Sequence, residues 1–524
     1  MALSPWPFLS SPEIRSSQLR GSKVKPALGM LLLDGKERPS GRHGSFDHPG
    51  SFDYEVKQEV VKGLTAEVCQ LGSLTEELEK NLAESIAALE AAGASVICGD
   101  TGAMMVFQHV ARKKTKLPVI LSALHLLPTV TGSHSHDAQV AVFTEHRGAL
   151  EVMKKLVHEE YGIDLEDSRY IIVDCTEIPG FATHDDAEME AGLVARAQRV
   201  LQEHPEVRAF LLESTRLPRH LAHAVRKATA RPVFDAHLLC DFYIDSHMDN
   251  PRFGKKSHEP KAKPWVSRLA SWAKKVGMKA YTSWEHAIKP PKAVAAVGVK
   301  LGVIRLDYHY PPARGDVDHP GSYGYEVHYH MVEGLTFEMC QSGKLTPEVE
   351  AAFLHGLRTL ESKGVSVITG DCGFMMWLQE LARKNTKLPV IMSSLVTLPV
   401  LTSSYHHGEK IAIFTANGQS LLSSLTGGAG GTGEPFIFVG CEEVPGFEAV
   451  ALGQKVDVKK VTPGIVEKAK QVLRAHPQVR AILMECTELP PYSDAVRYFC
   501  GVPVFDAITA CDFYIACHGE KMKL

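Results

Sequence analysis

The chain is written twice, and that repeat constrains its fold more than any other feature. Gly99-Asp100-Thr101-Gly102-Ala103-Met104-Met105 returns as Gly370-Asp371-Cys372-Gly373-Phe374-Met375-Met376. Asp47-His48-Pro49-Gly50-Ser51 returns as Asp318-His319-Pro320-Gly321-Ser322, and Gly63-Leu64-Thr65 as Gly334-Leu335-Thr336. Lys116-Leu117-Pro118-Val119, Ile178-Pro179-Gly180-Phe181 and Pro232-Val233-Phe234-Asp235-Ala236 all recur in the same order. Each unit is the size of a domain, so this is a tandem duplication and not a solenoid of short repeats. Copy one spans 28–247 and copy two 299–524, behind a tail at 1–27 that reads as disordered. Residues 248–298 have no counterpart in the other copy. Rich in Lys and Pro, with an apolar patch from Trp265 to Trp272, they read as a linker.

Within copy two, short apolar runs alternate with helical patterns. Gly302-Val303-Ile304, 365–368, 390–392, 411–414, 436–439 and 481–484 are continuous and rich in β-branched residues, as parallel strands covered on both faces should be. Between them Ile465, Val466, Ala469, Val472 and Leu473 recur at helical spacing beside Lys468, Lys470 and Arg474. The pattern predicts an α/β fold with parallel sheets.

Composition excludes several function classes. A formal charge of −4 gives no attraction to nucleic acid or anionic membrane. No apolar run approaches the roughly 20 residues that cross a bilayer, so the reading is a soluble protein. The eleven cysteines are odd in number and scattered, without CxxC or zinc-ligand spacing. That pattern suits a reducing intracellular setting, cytoplasm or plastid, with no metal and no cofactor.

The two copies differ where chemistry would be expected. Cys69/Cys340, Cys175/Cys441 and Cys240/Cys511 are shared, as packing cysteines would be, whereas Cys372 stands where copy one has Thr101 and Cys486 where it has Ser214. Both unshared thiols follow apolar strands, and ligands of open parallel sheets collect beyond the carboxyl ends of the strands. A thiol at a helix N-terminus can have its pKa lowered from about 8.5 to between about 3.5 and 7.5. Such a pair could move a proton at a carbon next to a carboxylate, work that contributes about 10²–10⁴ in rate.

With these residues in view, the sequence resembles the aspartate/glutamate racemase superfamily, through Gly-Asp-Cys-Gly-Phe at 370–374 and Glu-Cys-Thr-Glu-Leu-Pro at 485–490. More specifically, Gly302-Val303-Ile304-Arg305-Leu306, Tyr310-Pro311-Pro312, 315–322, 333–338, 414–417 and 504–509 look like the algal dimethylsulfoniopropionate (DMSP) lyases of the Alma type. The likeness covers essentially all of copy two. It implies two similar α/β lobes per copy, with one cysteine from each facing a cleft. It also implies a carbon–sulfur lyase that needs no cofactor and converts DMSP to dimethyl sulfide and acrylate. Cys372 and Cys486 would be catalytic, with the base left unassigned between them. Thr415, Asn417, Thr487, Gly373 and Arg305 would bind the substrate carboxylate; copy one has Leu32 at the place of Arg305. Tyr308, Tyr310, Tyr325 and Trp377 are candidate faces for the sulfonium, an attraction of about 0.5–2 kcal/mol. Copy one would be an inactive structural partner in a built-in pseudo-dimer, and a further homo-oligomer is left open.

Two alternatives stand beside this reading: a cofactor-independent amino-acid or hydantoin racemase, and a non-catalytic regulatory homologue. Gly428-Ala429-Gly430-Gly431-Thr432-Gly433 fits GxGxxG but precedes its strand, where a dinucleotide fingerprint must follow one. The histidines at 134/136, 328/330 and 406/407 lack zinc spacing and read as surface or core residues.

Overall fold

The computed structural model describes residues 25–35, 44–145, 150–253, 298–421 and 435–519. The linker patch from Trp265 to Trp272 and the glycine run at 428–433 lie outside them. Each copy builds two four-stranded sheets, and every strand pair is parallel. In copy one, β1 (Ala27–Leu32), β2 (Glu55–Val60), β3 (Ala94–Gly99) and β4 (Val119–Ile120) form one sheet. The second holds β5 (Gln139–Thr144), β6 (Tyr170–Asp174), β7 (Val207–Leu212) and β8 (Val233–Asp235). Copy two repeats this with β9 (Lys300–Arg305), β10 (Glu326–Met331), β11 (Val367–Gly370) and β12 (Val390–Ile391), then β13 (Lys410–Thr415), β14 (Phe436–Gly440), β15 (Val479–Met484) and β16 (Val504–Asp506).

All four sheets share one order, with the first strand inside, the second at one edge and the third on the other side of the first: β10-β9-β11-β12 and β14-β13-β15-β16 in copy two. The chain therefore reverses direction across the sheet between β9 and β11, and again between β13 and β15. Helices leave opposite faces at such a switch point and open a crevice at the carboxyl ends. The inner strands are apolar throughout because both faces are covered; Leu301, Val303 and Ile304 are all fully buried. The helix Val458–Ala475 turns Val461, Ile465, Val466 and Ala469 inward.

Three elements depart from the sequence reading. The edge strand β10, Glu-Val-His-Tyr-His-Met, is half-exposed and polar, so a search for apolar runs passes over it. The strand expected at 365–368 runs instead from Val367 to Gly370, which brings its end against Cys372. The last strand, β16, is three residues long and lies beside β15.

The copies meet through hydrogen bonds that come in reciprocal pairs. Val233 N donates to Cys517 O at 2.9 Å and Val504 N to Ser246 O at 3.0 Å. Tyr243 Oη donates to Val400 O at 2.7 Å and Tyr514 Oη to Thr129 O at 2.8 Å. Gln108 Nε2 reaches Ser403 O, and Gln379 Nε2 reaches Gly132 O. In each pair the donors are equivalent under the repeat, and so are the acceptors. The contact is isologous, as in a two-fold homodimer, but within one chain.

Candidate active site

Cys372 follows β11 and Cys486 follows β15, at the switch points of the two lobes of copy two. The two turns are tied to each other. Thr487 Oγ1 donates to Asp371 O. A Cβ on Gly373 would lie 2.0 Å from Glu485 Oε1, so only glycine permits this approach. A third segment joins them, since Val317 N donates to Thr487 O at 3.2 Å. The neighbours of each cysteine thus touch the neighbours of the other. Both thiols are nearly covered, at 7 % exposure for Cys372 and 5 % for Cys486.

These three segments bring five carboxylates together. Asp316 accepts from Tyr310 Oη at 2.7 Å and from Asp318 N at 2.8 Å. Asp371 accepts from Leu306 N at 3.0 Å. Arg305, at the end of β9, pairs with Asp318 at 2.8 Å and lies 3.8 Å from Asp371. Glu485 is buried, and the half-buried Glu488 accepts the S–H of Cys486 at 2.6 Å. Burial, then the neighbouring carboxylates, push Asp316 and Asp371 well above the ordinary carboxylate range. Burial also raises Asp318 and Glu488, against the opposing Arg305 and Cys486, and brings Glu485 to about 7.

The thiols move in the same direction. Burial raises Cys372 first, with Cys340, Glu488, Asp371 and Glu485 adding to it; burial and then Glu488 raise Cys486. The sequence argument from a helix N-terminus predicts the opposite shift. Cys372 opens only a six-residue 3-10 turn, Gly373–Leu378, and its side chain makes no cap hydrogen bond. The small dipole is outweighed by burial among acids, so both groups rest as thiols in the ligand-free protein.

The five residues expected at the substrate carboxylate hold varied positions. Arg305, Gly373 and Thr487 lie within the assembly above. Thr415 ends β13 and lies beside Glu485, lowering that carboxyl's pKa against burial. Asn417 Oδ1 accepts from Ser420 N at 2.9 Å, capping the turn that leaves β13. Of the aromatic candidates, Tyr310 touches the cluster through Asp316, and Tyr308 lies 6.0 Å from it, ring to ring, donating to Val450 O. Trp377 packs against Gly343, and Tyr325 donates to Asp512. Tyr325 and Asp512 line a separate cavity of about 230 Å³, between the helices Ala236–Asp245 and Ala507–Ala516, which includes neither cysteine. The acids themselves are the residues that sequence reasoning missed. Their signals were the exchanges of Glu488 for Arg216 and of Asp316 for Ser45 at the equivalent places in copy one.

Copy one keeps the scaffold with other chemistry. Thr215 Oγ1 donates to Asp100 O at 2.7 Å, Thr144 Oγ1 donates to Glu213 at 2.8 Å, and Gly102 lies against Glu213. Ser214 donates to Glu145 at 2.9 Å, and Arg216, stacked 4.6 Å above Phe181, lies 3.4 Å from the same carboxylate.

Among the described residues no His/Cys/Asp/Glu group could hold a metal ion, and no helix is long and apolar enough to cross a membrane. No family model matches the chain. The fold is similar to that of an arylmalonate decarboxylase, 13% identical over 42% of this chain and 91% of that one with a TM-score of 0.29. An aspartate racemase from Picrophilus torridus is 15% identical over 42% of this chain and 92% of its own, TM-score 0.27. In sequence, the chain is 50% identical to a dimethylsulfoniopropionate lyase of Durusdinium sp. clade D, over 44% of this chain and 80% of that protein. It is 37% identical to dimethylsulfoniopropionate lyase 5 of Emiliania huxleyi over 494 residues, which are 88% of this chain and 94% of the relative. At that identity over nearly the whole of both chains, this protein belongs to the dimethylsulfoniopropionate lyase family.

Proposed function

We propose that copy two cleaves DMSP to dimethyl sulfide and acrylate, with Cys372 and Cys486 as its catalytic thiols. The observation that carries this is the joining of the two cysteine turns inside a cluster of five acidic side chains, which among the described residues is paired with one cation, Arg305. A cationic group fits such a cluster, and a sulfonium is both a cation and a leaving group. A thiolate removes the proton α to the substrate carboxylate. The electron pair forms the C=C bond as the β C–S bond breaks, and dimethyl sulfide departs neutral.

The thiols rest protonated among acids, so the incoming positive charge does two things. It offsets the carboxylates that hold the thiol pKa values up, and it makes the adjacent carbon acid stronger. The substrate carboxylate is assigned to Arg305, Thr415 and Asn417 with the backbone at Gly373, donors for charge that grows during proton removal, while Thr487, whose hydroxyl proton goes to Asp371 O, holds the two turns together. Copy one, with Thr101 and Ser214, lacks an ionisable group at both places and serves as the structural partner across the reciprocal contact. All eleven cysteines are free thiols, in keeping with the cytoplasm or plastid.

The test is release of dimethyl sulfide from DMSP by the full chain. Wild type is expected to release it, and Cys372→Ala and Cys486→Ala are each expected to lose at least about 100-fold in kcat. Racemisation of an amino acid with no dimethyl sulfide would overturn the reading. Turnover that survives both substitutions would overturn the thiol mechanism.

A further inference from the structure

We infer that Cys486 is the base and that Glu488 passes its proton out of the cleft; the inference rests on the elimination proposed above. A racemisation returns a proton to carbon, so the protein's proton count is unchanged. An elimination does not. The C–H and C–S bonds break, the C–H pair becomes the C=C bond, the C–S pair leaves with the sulfide, and each turnover leaves one proton on the protein. Unless that proton reaches water, the base cannot act a second time.

Among the described residues only one of the two thiols donates to an acid. Cys486 Sγ donates to Glu488 Oε2 at 2.6 Å, and Glu488 is the more exposed of the two. Among the described residues Cys372 Sγ makes no hydrogen bond. The other acids are occupied or enclosed. Asp316 holds Tyr310 Oη and Asp318 N, Asp318 faces Arg305, Asp371 holds Leu306 N, and Glu485 is 1 % exposed. Among the described residues Glu488 is the one acid that takes a cysteine S–H and is itself only half-buried. The cycle then balances. The Cys486 proton moves to Glu488, the thiolate takes the α-proton and becomes a thiol again, and Glu488 gives its proton to solvent. Copy one has lost the base and its acceptor together. Ser214 stands for Cys486, and the Glu488 position holds Arg216, which accepts no proton.

Glu488 acts through Cys486, so its test needs a readout that mere loss of structure would not move. In the full chain, Glu488→Gln is expected to lower kcat for dimethyl sulfide release at least about 30-fold while KM stays within about threefold. The lost kcat should return in proportion to added imidazole, a small base that can carry the proton instead, and wild type should not respond to imidazole. Glu488→Asp should keep more activity than Glu488→Gln, and Cys486→Ser should lose more than Cys372→Ser. A Glu488→Gln enzyme within about threefold of wild type, or a loss that imidazole leaves untouched, overturns the proton exit while the lyase reading stands. Equal losses in the two serine variants overturn the choice of base. A wild-type protein that releases no dimethyl sulfide overturns both inference and reading.

Discussion

Glu485 sits between the two cysteine turns at 1 % exposure, and its counterpart Glu213 occupies the same place in the copy that has Thr101 and Ser214 instead of those two cysteines. Retention in both copies marks it as part of the scaffold that joins the lobes. Burial pushes its pKa up from 4.5 to about 7. The sign follows: a raised folded value means that stability from the neutral carboxyl is complete below about pH 4.5 and is lost as pH rises through about 7. Glu485→Gln removes that slope. The variant is expected to gain on wild type between about pH 5 and pH 8, by up to about 3 kcal/mol. Thermal unfolding of both proteins across that range checks it, and a difference that does not change with pH would refute the assignment. This residue was visible in sequence only as the letter before Cys486. Its role depends on Gly373, more than a hundred positions away, leaving room for its carboxylate.

The elements that carry the site divide by how local their causes are. The helix Ala507–Ala516 starts with a reciprocal cap, in which Thr509 N donates to Asp506 Oδ1 and Asp506 N to Thr509 Oγ1, both at 2.8 Å. This helix packs on β11 and β9 of the other lobe, so its start fixes how the lobes meet. Copy one has Leu238 in place of Thr509 and keeps only the Asp235 half of the cap. Thr509→Ala is expected to lower stability by about 1 kcal/mol in urea unfolding, and no change would mean that the Asp506 side suffices. Caps and apolar strands are local, so the strands at 411–414 and 481–484 were readable from the chain within a residue or two. Strand β10 was not, because an edge strand is half wet and needs no apolar run. The turn after β11 also acts differently from what its place in the chain suggests. A short 3-10 turn has little dipole to set against burial, so Cys372 shifts upward.

At the scale of the whole molecule, the pseudo-two-fold contact makes a prediction of its own. Tyr243 Oη to Val400 O and Tyr514 Oη to Thr129 O are equivalent bonds in a buried interface. Tyr243→Phe and Tyr514→Phe should therefore lower stability by similar amounts, about 1 kcal/mol each, measured by urea unfolding of the full chain. A large loss in one and none in the other would mean that the two halves of the contact are energetically unlike. The sequence by itself determined the duplication, the parallel α/β class and the pair of thiols unique to copy two, because repeats, strand periodicity and residue identity all lie along the chain. Only the tertiary structure decided the setting of those thiols. The acids at 316, 318, 371, 485 and 488 come from three separate segments that Thr487, Gly373 and Val317 hold together. Whether a thiol among them is raised or lowered depends on burial and on which charges are nearest, and neither quantity is written in the order of residues.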